Sequence, residues 1–313
     1  MNLFTFLRRR VVQMLPVLLG ISLVTFFMIH LIPGDPARNM LGPRATPERI
    51  AELRQALGLD EPLWSQYGRF LAGVIHGDFG TSLYYRQAVG PLVMDRLPAT
   101  IFLVVYSAIL ALLVALPLGI LAAVRRNTWI DQVIRTVSLV TLAMPAFWLG
   151  VLFILLFGLQ LGWFPIGGYG DTFRDRLHHL FLPALTIALA IVPIIIRSLR
   201  SSMASNLRAQ YAMTARAKGL SERRVVTGHV LRPSLISTVT VIAVNLGFLI
   251  GSTVIIETVF AIPGLGFLMV SSIQTRDYPV IQAVTLVMAV LVILINLCAD
   301  LTYALLDPRV SYD

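Results

Sequence analysis

Six stretches of the sequence are apolar over a length that can cross the roughly 30 Å hydrocarbon core of a bilayer as a helix. The chain is 57% hydrophobic and only 13% charged, a balance that a soluble domain does not tolerate. We therefore predict an all-α, polytopic membrane protein with six transmembrane helices. Their predicted bounds are 11–32, 100–124, 133–161, 180–196, 235–259 and 281–306.

Prolines lie within several of these stretches. Pro16, Pro117 and Pro145 fall in the first three, and Pro183 and Pro193 fall in the fourth, which is near the lower limit of length for a span. Neighbouring helices can satisfy the carbonyls that a proline frees, so we interpret these prolines as kinks that do not argue against membrane spans.

The basic residues indicate which side of the membrane each connection faces. Residues 197–233 hold eight basic residues and one acid, Glu222, whereas the segments 33–98, 171–176 and 276–277 each balance acids and bases. Connections rich in Arg and Lys stay in the cytoplasm. Both termini are therefore predicted to be cytoplasmic, and so is the 197–233 connection.

Composition also narrows the class of activity. The formal charge is +9, but the basic residues cluster at the ends of apolar stretches, so nucleic acid is not an expected partner. Cys298 is the single cysteine, which excludes an intrachain disulfide and disfavours a thiolate metal site. The sequence has no G-x-x-x-x-G-K-[ST] phosphate loop, and we find no nucleophile–base pair or metal cluster in the spans. No catalytic, cofactor-binding or metal-binding residue is expected in this chain.

The 33–98 connection is predicted to fold rather than to act as a flexible linker. Thr46 followed by Pro47 is typical of a helix N-terminus, and this helix should end near Gly58. A second, amphipathic helix should end before Gly77. It carries Trp64, Tyr67, Phe70 and Leu71, which either lie along the outer membrane–water boundary or pack on the chain's own spans.

Residues 211–233, called the basic segment below, lie between the fourth and fifth stretches. They read as helix, glycine, helix, with Ala215 four residues before Gly219 and Leu231 further on. Such a polar segment cannot lie in hydrocarbon, and its internal form indicates a docking surface rather than a passive connector. Gly219 taken alone is also explained by an ordinary glycine at a helix C-terminus.

The basic segment resembles the cytoplasmic EAA loop of binding-protein-dependent ABC import permeases, Glu-Ala-Ala-x-x-x-Gly followed by a spacer and Ile-x-Leu-Pro. Ala215, Gly219 and Leu231 match that pattern. The departures are Met213, Thr214, His229 and Arg232, with Pro233 one step late. Thr-Ala-Arg-Ala-Lys-Gly-Leu followed by His-x-Leu-Arg is similar to the dipeptide, oligopeptide and nickel permeases, a subfamily that accounts for the departures.

Further motifs of that subfamily follow in the expected order along nearly the whole chain. They are His30-Leu-Ile-Pro-Gly-Asp-Pro36, Gly77-Asp-Phe-Gly-Thr-Ser82, Arg96-Leu-Pro-Ala-Thr100, Glu257-Thr-Val-Phe260-Ala-Ile-Pro-Gly-Leu-Gly266, Arg276-Asp-Tyr-Pro279 and Asp307-Pro-Arg309. Each motif is weak alone, but the set is specific. The long connection after the first stretch is similar to that of the B-type permease subunit.

The resemblance implies the fold of a type I ABC importer permease in a bacterial cytoplasmic membrane. Residues 1–98 would hold the first transmembrane helix and an extracytoplasmic helical segment, residues 99–306 the permease core with a cytoplasmic coupling loop at 197–233, and residues 307–313 a cytoplasmic tail. Contact with a separate ATPase would come from Thr214, Ala215, Arg216, Ala217, Lys218, Gly219, Leu220, Glu222 and Leu231.

The partners implied are two ABC ATPase subunits that bind ATP and Mg²⁺, a second and different permease subunit, an extracytoplasmic substrate-binding protein and membrane lipid. The chain would be a transport subunit for di- and oligopeptides and not an enzyme. Nickel or glutathione-like cargo is the alternative within the family. Only His178 and His179 sit together, and neighbours on a helix do not face one ligand, so peptide fits better than nickel. An intramembrane enzyme or a passive channel is the remote alternative.

Two further groups of residues are candidates for contact with cargo or partners. The first would form an outer gate or a binding-protein contact, or only a connector after the fifth stretch. It consists of Glu257, Phe260, Pro263, Gly264 and Gly266. The second would form interhelical hydrogen bonds or line the pathway. It consists of Asn245, Asn296 and Asp300.

Overall fold

The computed structural model describes residues 3–31, 35–42 and 45–306. In those ranges the chain is helical between its connections, with one isolated bridge from Thr81 to Ala88, which confirms the all-α prediction. The helices are α1 Leu3–Leu31, α2 Pro36–Leu41, α3 Pro47–Leu57, α4 Leu63–His76, α5 Val89–Val124, α6 Trp129–Ala143, α7 Ala146–Phe153, α8 Phe173–His179, α9 Phe181–Asn206, α10 Gln210–Ala217, α11 Glu222–Arg224, α12 Leu231–Val259, α13 Leu265–Thr275 and α14 Tyr278–Leu306. Two π-helical stretches, Ile154–Gln160 and Val225–Val230, extend α7 and α11.

Five of the predicted spans each fall on one helix, and the third falls on α6, α7 and the π-helical stretch that follows α7. Among the described residues, three helices are long and apolar enough to cross a membrane: α5, α9 and the Tyr278–Ala299 part of α14. The helices on either side of Pro145 make a fourth if they are taken as one bent span. The two remaining predicted spans fall on α1 and α12, whose apolar parts are shorter. These helices are consistent with six spans, and the count itself stays a prediction.

Pro145 divides the third predicted span by a bend of 104°. Met144 has φ −84° and ψ 133°, the extended conformation that a proline favours in the residue before it. The carbonyl of Pro145 then accepts the Trp148 N–H at 3.0 Å as α7 begins. Pro16 and Pro193 lie inside continuous helices. The expected kink is therefore present at Pro145, and it is sharp enough to end α6 and to begin a separate helix, α7.

The fourth span is longer than the sequence suggested. α9 continues to Asn206, so the first ten residues of the predicted 197–233 connection, up to that asparagine, are helical. More than half of the helix is buried within the chain, including the small residues Ala184 and Ala188. Small buried residues let neighbouring helices approach closely. Polar residues near its C-terminal end lower the local hydropathy, so the predicted span stops ten residues before the helix does.

The chain divides into two compact units. The first comprises Met1–Thr100 and Pro263–Ile293, and the second comprises Ile101–Ile262 and Leu294–Asp313.

In the first unit, α4 packs on α1 through its aromatic residues. The Phe26 ring lies 5.3 Å from the Tyr67 ring and 5.8 Å from the Phe70 ring, centre to centre. The Tyr67 hydroxyl also lies 2.9 Å from Ser22 Oγ. Of the two placements open to these aromatics, packing on the chain's own helix holds for Tyr67 and Phe70, whereas Trp64 is 79% exposed.

The helix ends predicted in this region are confirmed. Thr46 accepts the Arg49 N–H at the start of α3, and Gly58 ends that helix with φ 62°. Gly77 ends α4 with φ 75°. Left-handed backbone of this kind favours glycine because it has no Cβ.

Two distant family motifs meet in the first unit. Asp277 is buried, and its Oδ2 accepts hydrogen bonds from the Ser82 hydroxyl and, at 3.2 Å, from the Tyr84 N–H. The Thr100 hydroxyl oxygen accepts the Leu265 N–H at 2.8 Å. The Ser82 bond ties the 77–82 and 276–279 motifs together across a separation of 195 residues, and the Thr100 bond joins the 96–100 and 257–266 motifs.

In the second unit, α9 packs against α6, α7 and α12. Its Arg200 donates from Nε and from a terminal nitrogen to the two carboxylate oxygens of Asp131, each at 2.6 Å. Asp131 is fully buried and also accepts the Asn127 N–H at 3.0 Å. On another side of α9, a Cβ added to Gly119 of α5 would lie 3.0 Å from Leu199. α9 is therefore the central element of this unit.

Candidate functional site

The basic segment folds as a compact hairpin on the second unit. We call residues 210–230 the basic hairpin: α10, the turn at Gly219, α11 and the π-helical stretch. Its inner face is a cluster of small and β-branched side chains buried against α5 and α9. The hairpin contributes Ala212, Ala215, Val225, Val226 and Val230, which are buried against Ala123 of α5 and against Leu199 and Met203 of α9.

Ala215 belongs to that inner face, with only 6% of its surface exposed. Leu220 and Leu231 are partly buried and pack on the same cluster. We predicted these three residues as part of the ATPase-contact set, and the structure places their side chains towards the chain's own core. A small side chain at Ala215 lets α10 lie close to α9, so the Ala-x-x-x-Gly spacing describes how the hairpin is anchored.

The turn requires glycine for its conformation. Gly219 has φ 81°, its N–H bonds to the Arg216 carbonyl at 2.9 Å, and the Leu220 N–H bonds to the Ala215 carbonyl at 3.2 Å. This is a helix C-terminus closed by a left-handed residue. A Cβ on Gly219 would meet nothing within 4 Å. Within this chain, glycine is therefore needed for its backbone angles and not for a close packing contact.

One ion pair closes the hairpin across the turn. Arg216 Nε donates to Glu222 Oε1 at 2.6 Å, and a terminal nitrogen reaches Oε2 at 3.2 Å. A second terminal nitrogen of Arg216 donates to the Leu207 carbonyl at 2.9 Å. The hydrogen bond from Arg216 holds the pKa of Glu222 below its ordinary value. Both residues were predicted as ATPase contacts. Within this chain, their bonds hold α10, α11 and the end of α9 together.

The outward face of the hairpin is small and apolar with a basic rim. Tyr211 and Met213 are 44% and 54% exposed, and the predicted contact residues Thr214, Ala217 and Lys218 are exposed beside them. Arg223 and Arg224 are exposed on α11. Exposed aromatic and methionine side chains among charged residues are typical of a protein–protein contact.

The sequence did not single out Tyr211 and Met213 as contact residues. Met213 stood in the family pattern only as a departure from glutamate. The helical spacing was the available signal, because 213 and 217 lie one turn apart and fall on the face opposite the buried Ala212 and Ala215. Tyr211 is also held in place, since its hydroxyl donates to Asn206 Oδ1 at 2.8 Å.

The predicted outer-gate residues fall in both units. In the second, Glu257 and Phe260 are fully buried. The Phe260 carbonyl accepts the Gly168 N–H at 3.1 Å, and a Cβ on Gly150 would lie 3.1 Å from the Phe260 ring. In the first unit, Pro263 is partly buried and Gly264 and Gly266 are buried at the start of α13. In this conformation, Glu257 and Phe260 are internal and not on an exposed contact surface.

Of the three predicted pathway residues, Asn245 and Asn296 make no hydrogen bond between helices in the described part of the chain. Asn245 donates from Nδ2 to the Val241 carbonyl of its own helix at 2.7 Å, so its described bond is not an interhelical one. Asn296 is exposed on α14. The side chain of Asp300 lies outside the described residues, as does the 307–313 tail.

The two neighbouring histidines bond to backbone. His178 Nε2 lies 2.9 Å from the Trp163 carbonyl, and His179 Nδ1 lies 2.8 Å from the Gly167 carbonyl. Among the residues that the structure describes, no group of three or more His, Cys, Asp or Glu side chains could hold a metal ion.

Two family models cover the chain. The model described as binding-protein-dependent transport system inner membrane component matches residues 115–312. The model for the N-terminal part of such membrane components matches residues 3–104.

Full-length relatives and a solved structure agree with these models. The glutathione transport system permease protein GsiC of Salmonella paratyphi A is 41% identical over 310 residues, 99% of this chain and 100% of the relative. The oligopeptide transport system permease protein AppB of Bacillus subtilis is 41% identical over 311 residues, 97% of this chain and 98% of the relative. The MetNI methionine ABC transporter in an inward-facing conformation matches with a TM-score of 0.59 at 18% identity, covering 69% of this chain and 96% of that one. That likeness shows the ABC transporter permease fold. The chain belongs to the family of binding-protein-dependent transport system inner membrane components.

Proposed function

We propose that this chain is the permease subunit of an ATP-driven importer that carries short peptides across the cytoplasmic membrane. The observation that carries the proposal is the basic hairpin, which presents an exposed face of small and apolar residues on a base buried against α9. A passive channel has no use for such a face, and an importer that lacks its own ATP site requires one. The cargo is argued from the relatives, which are named for glutathione and oligopeptide transport. Both of those cargoes are peptides.

The outward face of the hairpin is the docking surface for a separate ATPase. Tyr211, Met213, Thr214 and Ala217 form its centre, and Lys218, Arg223 and Arg224 form a basic rim that suits acidic or polar groups. ATP and Mg²⁺ bind to two such ATPase subunits. This chain contributes no catalytic residue, and hydrolysis takes place on the partners.

The anchoring of the hairpin explains how force reaches the spans. Ala212, Ala215 and Val225 pack on α9, and the Arg216–Glu222 pair fixes the two arms of the hairpin to each other. A displacement of the hairpin is therefore passed to α9, and from α9 to α6, α7 and α12, which pack against it. Alternating access then follows from movement of this group of helices. A second, different permease subunit and an extracytoplasmic binding protein complete the importer.

The docking surface is tested by adding bulk to it without changing the fold. Ala217 is exposed and sits in ordinary helix, so Ala217→Trp should insert and melt like the wild type. It should reduce ATP-driven uptake, and the ATPase activity stimulated by the binding protein, to background levels. Arg126→Trp is the matched control, because Arg126 is exposed in a different connection on the same predicted side of the membrane. Normal uptake by Ala217→Trp would contradict the docking assignment.

The cargo is tested in proteoliposomes that contain the complete importer and its binding protein. Uptake of labelled trialanine or glutathione is expected, and uptake of Ni²⁺ is not. Glutathione is the second candidate cargo because the relative that matches over 99% of this chain is named for it. Uptake of Ni²⁺ without uptake of either peptide would overturn the peptide proposal.

A further inference from the structure

A polar groove opens beside the cytoplasmic half of α9. It has a volume of about 730 Å³ and lies within the second unit, between α9 and Val241 of α12. Its polar lining consists of Arg197, Ser198, Ser201, Ser202, Ser205 and Asn206. We call it the α9 groove. These positions fall within the predicted 197–233 coupling loop, but none of them belongs to the residues predicted to contact the ATPase or to line the pathway.

Arg197 is the distinctive member of the groove. Three residues further on, Arg200 is committed to the buried Asp131 through two hydrogen bonds of 2.6 Å. Arg197 is exposed, and among the described residues no acid pairs with it. Asn206 is already used, because it donates to Ser234 and accepts from Tyr211. The groove therefore offers an uncommitted guanidinium beside serine hydroxyls.

The spacing of these residues brings them onto one line of the helix. Arg197, Ser201 and Ser205 follow each other at intervals of four residues and are all exposed. Arg197 lies about 24 Å along α9 from Phe181, at ~1.5 Å per residue, which places it near the cytoplasmic end of the hydrocarbon. A cation with hydroxyl donors along one line suits an anionic oxygen group, because guanidinium and hydroxyl groups both donate to a carboxylate.

We infer that the α9 groove receives a carboxylate of the peptide cargo as it leaves towards the cytoplasm. The inference rests on the proposed peptide transport. Peptides such as trialanine and glutathione carry a free carboxylate, and the groove supplies donors without a competing acid. Because Arg197 is exposed, the contact is weak, which suits a site that must release its ligand as readily as it takes it up.

The test compares cargo with and without its carboxylates in proteoliposomes that contain the complete importer. The cargo pairs are trialanine with trialanine amide, and glutathione with glutathione diethyl ester. Arg197→Gln should lower initial uptake of the carboxylate cargo about threefold to fivefold, the upper part of the range for a screened ion pair. It should leave uptake of the amide or ester unchanged relative to wild type. The binding protein is the same for both variants, so its own preference cancels in that ratio.

Arg208→Gln is the matched control, since Arg208 is also exposed near the end of α9 but does not line the groove. It should change uptake of neither cargo. Equal loss with both cargoes in Arg197→Gln, or no loss with either, would overturn the inference. So would a loss that depends on the phosphatidylglycerol content of the vesicles and not on the cargo, because the anion would then be a lipid phosphate. Failure of the wild type to import any of these peptides overturns the proposed function and this inference with it, whereas import that Arg197→Gln leaves unchanged overturns the inference alone.

Discussion

The basic hairpin and the Ser82–Asp277 contact of the first unit are both built from family motifs, yet they use polar groups in opposite ways. In the hairpin, the ion pair of Arg216 and Glu222 is exposed, and the anchoring comes from small apolar side chains beneath it. In the first unit, the carboxylate of Asp277 is itself buried and bonds to Ser82 and to the Tyr84 backbone. The hairpin is organised to present a surface, whereas the Asp277 contact is organised to hold distant parts of the chain together. Two motifs that resemble the family equally well can therefore differ in whether their polar residues are exposed or stabilise the interior of the fold.

The largest effect is expected where the polar group is buried. Asp277→Ala leaves the Ser82 hydroxyl and the Tyr84 N–H without their acceptor, which should cost about 2 kcal/mol of stability. The measurement is the thermal unfolding of the detergent-solubilised protein. Ser82→Ala removes one donor but keeps the Tyr84 bond, so it should lower the melting temperature by less. If Asp277→Ala melted like the wild type, the contrast between the two regions would disappear.

A smaller effect is expected at the hairpin turn. Gly219→Ala forces a side chain into a left-handed conformation, at a cost of about 1 kcal/mol, and should reduce uptake because it disturbs the turn that carries the outward face. Gly228→Ala is the matched control. Gly228 lies in the π-helical stretch of the same hairpin, has no positive φ and has open space around it, so alanine there should be neutral or slightly stabilising. Equal behaviour of the two variants would show that the turn conformation is not what glycine supplies.

The smallest effect is expected at the exposed ion pair. The pKa of Glu222 is lowered in the folded protein by its bond to Arg216. Its contribution is therefore fully present above the ordinary value of 4.5 and is lost as the pH falls through the lower folded pKa. The protection of hairpin amides from hydrogen exchange, expressed relative to the intrinsic exchange rate at each pH, should fall slightly below that pH in the wild type. In Glu222→Gln the protection should lose this pH dependence, and a dependence that persists would point to another group.

The sequence predicted the helices well because apolar length is a local property. Each predicted span fell on helical residues, although the third is divided between α6 and α7. The helix ends at Thr46, Gly58 and Gly77 were recognisable from capping residues. The sequence did not distinguish a proline that breaks a helix from a proline that a continuous helix accommodates. Pro145 breaks a span and Pro193 does not, because neighbouring helices decide whether the freed carbonyls find partners.

The secondary structure of the basic segment was predictable, but the direction in which its side chains point was predictable only in part. The basic segment was correctly read as helix, glycine and helix, but the motif does not say which of its residues face inwards. Ala215 turned out to anchor the hairpin, while Tyr211 and Met213, which the motif does not name, lie on the outside. The Ser82–Asp277 contact could not be foreseen, since nothing local in the sequence links positions that far apart. The role of the outward residues in ATPase contact stays a prediction.

The central position of α9 has a consequence for how the surrounding lipid acts on this protein. Within the chain, 67% of the apolar part of α9 is buried, against 28% for α5 and 39% for α14. We therefore expect a thicker or thinner bilayer to act first on α5 and α14, whose apolar parts are less buried within the chain, through tilt or local stretching. The apolar part of α9 mainly contacts other parts of the chain, and α9 carries both the hairpin anchor and the α9 groove. The part of the chain that we assign to coupling is insulated from the thickness of the membrane in which it works.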